Sequence, residues 1–227
     1  RRQRQMCIRD SYGSFLYFPY NLIQMKKNPI DVFSNWALVG RDETMAQGHE
    51  DSVKEMLELA TIDNKKFSFI DVGCGNGWVV RKIYDYPHCE YAAGVDGSQN
   101  MIDKAKSMGV GGDFFCRDIR CWIPPRTFDI VHSMEVFYYV EQPDILIRNI
   151  FDFWLNPMGK LIMGIDFYQE NTPCHSWQEE CGINIMQLFS KNTWISFFTE
   201  AGFRKITSYH FGAKDNWKGT LVVMGEK

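Results

Sequence analysis

No apolar run in the 227 residues approaches the length of a membrane-spanning helix, and the start lacks the apolar core of a signal peptide. A soluble, cytoplasmic protein is therefore expected. Basic blocks are also missing beyond Arg1-Arg2-Gln3-Arg4. With a net charge of −3 and a pI near 6.0, the chain carries no global electrostatic footprint for nucleic acid. The seven cysteines include no C-x-x-C pair, so neither a disulfide scaffold nor a structural metal site is expected, and no metal is assigned. There is no internal repeat and no low-complexity tract.

Aromatic side chains, by contrast, are abundant at 15% of residues, and they need a core or a pocket to pack in. The length suits one structural domain. Residues 1–62 read as an N-terminal helical cap, and 63–227 as the core. In the cap, Phe15, Tyr17, Phe18 and Tyr20 crowd around Pro19, a density that fits a segment lying over an apolar surface or plain packing. Pro29 to Trp36 reads as a short helix, Gly40 to His49 as a polar link, and Asp51 to Ala60 as a helix with Val53, Met56, Leu57 and Ala60 on one face.

From Phe67 onward, short apolar runs closed by glycine or aspartate alternate with helical patterns. Strands are expected at Phe67 to Val72, Tyr91 to Val95, Asp113 to Cys116, Phe128 to Met134 and Lys160 to Ile165. Helices are expected at Trp78 to Tyr84, Ser98 to Met108, Ile145 to Leu155 and Lys191 to Ala201. The runs Phe203 to Phe211 and Trp217 to Met224 follow one another without a helix. The pattern predicts an α/β fold: a doubly wound, mostly parallel seven-stranded sheet ending in an antiparallel hairpin. Phe167 to Leu188 reads as a long polar loop with a short helix at its end, a size that is usually functional.

The first strand breaks into Asp71-Val-Gly73-Cys-Gly75-Asn-Gly77-Trp78. A dinucleotide fingerprint would need a glycine where Trp78 stands, and no Gly-Lys-Ser/Thr follows for a phosphate loop. What remains is a turn that lets a ligand approach the backbone. Nineteen residues beyond Gly77, Asp96 ends the second strand, where a carboxylate can accept from both ribose hydroxyls. Asp118, after the third strand, can accept from an exocyclic amine, and the Ile119 amide can donate to a ring nitrogen. Together these describe an adenosine site without pyrophosphate.

Asp71 to Gly77, Gly94-Val-Asp96, Arg117-Asp118, Phe128-Asp129-Ile-Val and Asn156-Pro-Met-Gly159 followed by Leu161-Ile-Met stand in the order and spacing of the class I S-adenosylmethionine-dependent methyltransferases, which the chain resembles from Phe67 to its C-terminus. The resemblance implies that S-adenosylmethionine is the cofactor and S-adenosylhomocysteine the product. It implies that Gly73 and Gly75 seat the methionine part, that Asp96 takes the ribose, and that Asp118, Ile119 and Met101 address the adenine. Asp71, Cys74, Gly97, Ser133 and Met134 count among the expected cofactor contacts, and Arg41 could clamp the cofactor's carboxylate or form a surface ion pair. Met158 stands where the family commonly has glycine.

Methyl transfer asks mainly for orientation and exclusion of water, with a base only where the acceptor holds a proton. His49, in the polar stretch beside Arg41, Asp42 and Glu43, is the first choice for that base, although a surface histidine at a helix start fits equally. His132 reads as structural and His175 as a weaker candidate. Trp36, Tyr17 and Tyr20 from the cap, Tyr138 and Tyr139 after the fourth strand, and Asp166 and Tyr168 after the fifth would build an aromatic, acid-bearing pocket suited to a small and even cationic amine. The expected function is methyl transfer to nitrogen or oxygen of a small molecule by a monomer or homodimer. The alternatives are a protein or RNA methyltransferase and a cofactor-binding protein without catalysis.

Overall fold

The computed structural model describes residues 26–61, 63 and 65–227. Tyr17 and Tyr20 lie outside them. Helix α1 (Pro29–Val39) starts where the Asn28 side chain accepts from the Ile30 amide and Pro29 needs no partner, and it stops at Gly40 in a left-handed conformation. Helix α2 (Arg41–Ala60) then runs unbroken for 20 residues. The expected polar link from Gly40 to His49 is thus helical. Glu43, Met45, Ala46 and Gln47 are good helix formers, the acids Asp42 and Glu43 sit in the first turn, and Gly48 is carried by its neighbours.

The sheet holds β1 (Phe67–Val72), β2 (Cys89–Asp96), β3 (Asp113–Cys116), β4 (Phe128–Met134), β5 (Leu155–Ile165), β6 (Arg204–Phe211) and β7 (Thr220–Glu226). Their order is β3-β2-β1-β4-β5-β7-β6, parallel through β5 and antiparallel for β7 and β6. The chain steps outward from β1 to β3 and returns on the other side of β1, so the order reverses between β1 and β4. Crevices for ligands form at the carboxyl ends of strands beside such a reversal.

Every residue of β1 is buried, as expected of a strand covered on both faces. Phe67 and Phe69 join one core with Val53, Met56 and Leu57 of α2 and with residues of α3 (Trp78–Tyr84) and α4 (Gln99–Ser107). Ile70 and Val72 face the other, where α5 (Pro143–Asn149) and α7 (Lys191–Ala201) contribute Leu146, Ile147, Trp194 and Phe198. The fifth helix is shorter than its pattern implied, because after Asn149 the chain widens into a π turn over Ile150–Trp154. The loop after β5 carries a 3-10 turn at Thr172–Cys174 and α6 (Trp177–Cys181), so its helix lies mid-loop rather than at the end.

Between β4 and β5 the pairing jumps from Phe128–Leu155 to Ile130–Lys160, and the excursion holds Met158 at φ +67° with its side chain exposed. A left-handed conformation is unfavourable for a residue with a Cβ. Met158→Gly should therefore raise unfolding stability by about 0.5 to 1 kcal/mol, read as a higher denaturant midpoint at unchanged slope.

Candidate active site

A cleft of about 1360 Å³, its open mouth included, lies at the carboxyl edge of β1, β2 and β4 under α1 and the first half of α2. Its floor is the glycine turn. Gly73 donates to the Val95 carbonyl at 2.8 Å with φ +73°, and a Cβ there would come within 2.2 Å of Val136. At Gly75 the corresponding space is open, with only the Met101 sulfur at 3.9 Å. The turn thus offers bare backbone to the cleft. Cys74 is buried beneath it, and burial pushes its thiol well above the ordinary range, so it is inert packing.

At the near end, Asp96 accepts from the amides of Gly75 (3.0 Å) and Ser98 (2.8 Å). Burial raises its pKa, while those two amides pull the other way. Each oxygen keeps acceptor capacity beyond these bonds. Asp118 is gripped by Arg120, whose Nε and Nη2 donate at 2.9 and 2.6 Å, and that guanidinium holds its pKa below the ordinary carboxylate value. Met101, Ile119 and Gly97 line the same end, with Ile30 of α1 packed over Gly97.

Asp42 accepts from the Asn76 amide at 2.6 Å and from the Lys104 ammonium at 2.8 Å. The first turn of α2 is thereby tied to the glycine turn and to α4. Beneath the glycine turn, Asp71 shares its carboxylate with the fully buried His132 at 2.7 Å.

The far end is acidic and aromatic. Glu135 follows β4 at φ +61°, a rare conformation for its type that active sites often retain. Its carboxyl accepts from Tyr138 Oη at 2.5 Å and from the Asp166 amide. His49 Nδ1 stands 3.7 Å from Asp166 Oδ2. One nitrogen of His49 and one oxygen each of Glu135 and Asp166 lie within 4.8 Å of one another, the one such grouping among the described residues with the donors to hold a metal ion. Burial lowers the His49 pKa below its ordinary 6.5, against the pull of Asp166. Burial raises Asp166, and burial together with the neighbouring Asp166 charge raises Glu135 well above the carboxylate range. Phe33 meets Trp36 and Tyr139 edge to face at 4.9 and 5.0 Å and closes the wall.

The methyltransferase domain family matches residues 43–208, nearly three-quarters of the chain. The chain belongs to this methyltransferase family. A methyltransferase from Haloferax volcanii, solved in complex with the Trm112 methyltransferase activator, superposes with a TM-score of 0.75 at 25% identity, covering 86% of this chain and 96% of that one. N-methyltransferase NodS from Bradyrhizobium japonicum WM9, in complex with S-adenosyl-l-homocysteine, shares the fold at a TM-score of 0.60 and 20% identity, over 78% of this chain and 86% of its own. Among curated relatives, ubiquinone biosynthesis O-methyltransferase from Coxiella burnetii is 32% identical over 97 residues, 40% of each chain. The chain spans less than half the length of the curated relatives it matches. The bare backbone at Gly73 and Gly75, beside the fixed Asp96 carboxylate, fits S-adenosylmethionine.

In this methyltransferase Asp71, Gly73, Cys74, Gly75, Asp96, Gly97, Met101, Asp118, Ile119 and Met134 share one cleft, joined by His49, Trp36 and Tyr139. Other expected members stand elsewhere. Arg41 is exposed, with its guanidinium 4.0 Å from the Trp36 ring centroid, and does not line the cleft. Ser133 is buried, and its hydroxyl donates to the Val72 carbonyl of the neighbouring strand at 2.9 Å. Tyr138 sits behind Glu135, and Tyr168 is buried with its hydroxyl donating to the Gly219 carbonyl. Asp166 stands behind His49 rather than on the cleft wall. His49 itself lies mid-helix and half-buried, not at a helix start.

Among the cleft residues outside the sequence-based selection are Glu135, Asp42, Asn76 and Phe33. Glu135 had a signal, being the acid that follows the last residue of a central strand. Asp42 and Asn76 had none, because their pairing spans 34 positions and depends on where α2 lands.

Proposed function

We propose that the enzyme methylates a nitrogen or oxygen of a small-molecule acceptor held between Glu135 and the aromatic wall, with His49 as the general base. The observation that carries this reading is the half-buried His49 at the inner end of the cleft, backed by Asp166 at 3.7 Å. In this reading residues 1–62 act as the cap and 63–227 as the core. Asp96 takes the ribose hydroxyls, Asp118 and Ile119 the adenine, and the Gly73 to Gly75 backbone the methionine part.

S-adenosylmethionine supplies, when bound, a methyl group on a positively charged sulfur. The chain's own part is positioning. Phe33, Trp36 and Tyr139 exclude water and hold the acceptor in line. His49 Nδ1 faces Asp166, which leaves Nε2 to take the acceptor's proton. The acceptor's lone pair forms the new bond to carbon as the carbon–sulfur bond breaks, and Asp166 stabilises the imidazolium that results.

Release of S-adenosylhomocysteine is the assay, run with panels of amines and phenols and, in parallel, peptides and RNA. Turnover confined to small molecules supports the proposal, and turnover confined to peptide or RNA overturns it. The pH profile adds a check. Neutral imidazole is the working form, so kcat/KM should fall as pH drops through the His49 pKa, with the acid limb below 6.5 because burial lowers it. Asp166 and Glu135 are the charged groups facing it. Asp166→Asn removes the carboxylate that raises the pKa and should shift the limb lower still.

A further inference from the structure

We propose that the acceptor is an amine bound as its ammonium ion, recognised by the Glu135 carboxyl and the faces of Phe33, Trp36 and Tyr139; this deepens, and rests on, the small-molecule reading. The argument begins with the charges along the cleft. Among the described residues that line it, the carboxyl groups belong to Asp42, Asp71, Asp96, Asp118 and Glu135, against the single guanidinium of Arg120. Four of these acids already have partners suited to them. Asp42 has Lys104, Asp71 has His132, Asp96 has two backbone amides and Asp118 has Arg120.

Glu135 differs. Its donors are a phenol and a backbone amide, both neutral, and the nearest charged side chain is Asp166, another acid. The basic side chain near Asp166 is the imidazole of His49, at 3.7 Å. Two acids stand together at the inner end with no lysine or arginine beside them among the described residues. An organic cation is the ligand that such a pair stabilises, and its arrival favours their ionised forms. A carboxylate acceptor would instead meet repulsion.

The aromatic wall points the same way. Phe33 stands edge-on to both Trp36 and Tyr139, at 86° and 70°, so ring faces and edges turn a corner beside Glu135. Trp36 already holds the Arg41 guanidinium 4.0 Å from its centroid, so the wall contains a ring whose surroundings suit a cation. Glu135 is fixed by hydrogen bonds at both oxygens and held at φ +61°, so its carboxyl is preorganised. Proton transfer from the bound ammonium to His49 then exposes the lone pair that attacks the methyl carbon.

The test is calorimetry on the full chain saturated with S-adenosylhomocysteine, titrated with 2-phenylethylamine, its neutral counterpart 2-phenylethanol and its anionic counterpart phenylacetate. The ammonium ion should bind at least about tenfold more tightly than the alcohol, and the acid should bind weakest. Glu135→Gln should bring amine and alcohol to within about threefold. Phe33→Leu, which leaves the Glu135 hydrogen bonds in place, should weaken the amine severalfold and spare the alcohol. Equal affinity for amine and alcohol, a preference for phenylacetate, or no amine binding to protein that binds S-adenosylhomocysteine would overturn the inference and leave the cofactor site standing. Zinc or manganese that binds tightly and displaces the amine would assign the cluster to a metal and overturn it too. Absence of S-adenosylhomocysteine binding would remove the reading on which the inference rests.

Discussion

Asp96→Ala is expected to weaken binding of S-adenosylhomocysteine by about 100-fold or more. Two effects act in the same direction. In the proposed placement the carboxylate offers two charge-assisted acceptors to the ribose hydroxyls, each worth about 1.5 to 3 kcal/mol. It also anchors the Gly75 and Ser98 amides, so its loss orphans the donor that fixes the glycine turn. Asp96→Asn keeps one acceptor oxygen and should fall between the two, losing about tenfold. Calorimetry reads the affinity, and the melting temperature without ligand shows how much of the loss is structural. Affinity within twofold of the parent in Asp96→Ala would place the ribose elsewhere.

His49→Ala should lower kcat by about 100- to 10,000-fold while S-adenosylhomocysteine affinity changes less than about threefold. The asymmetry follows from position. His49 sits at the inner end, beside Glu135 and Asp166, whereas Asp96 and Asp118 hold the opposite end. The acid limb of the pH profile should vanish with the imidazole. A variant with parental kcat would show that the acceptor arrives unprotonated or uses another base.

The two predictions rest on residues of unequal legibility. Asp96 could be read from the chain because a parallel strand that ends in aspartate beside a glycine turn has one place to be: the carboxyl edge. Strand alternation, the Ser98 cap and the closing hairpin were readable for the same reason, since each is set by local pattern. His49 could be named but not placed. Whether it faced solvent or the cleft depended on α2 running unbroken from Arg41, and Gly40 and Gly48 argued for a link.

The far end was the least legible part. Glu135 could be seen to follow a central strand, but the left-handed backbone conformation that aims it could not be read from the chain. Arg41, expected as a carboxylate clamp or a surface ion pair, stacks on Trp36 instead of lining the cleft, and a basic residue in either place has the same sequence context. Tyr138 and Tyr168 read as pocket aromatics by proximity to strand ends, yet both serve as buried hydrogen-bond donors. Composition predicts that aromatics cluster; which of them face a cavity is decided by tertiary packing.

The most direct measurement of the whole account is a crystal structure with S-adenosylhomocysteine bound. The account predicts ribose hydroxyls on Asp96, adenine between Met101 and Ile119, and the sulfur turned toward Glu135 and His49. A sulfur that faces away from that pair, or a ligand seated outside the cleft beneath α1 and α2, would contradict it.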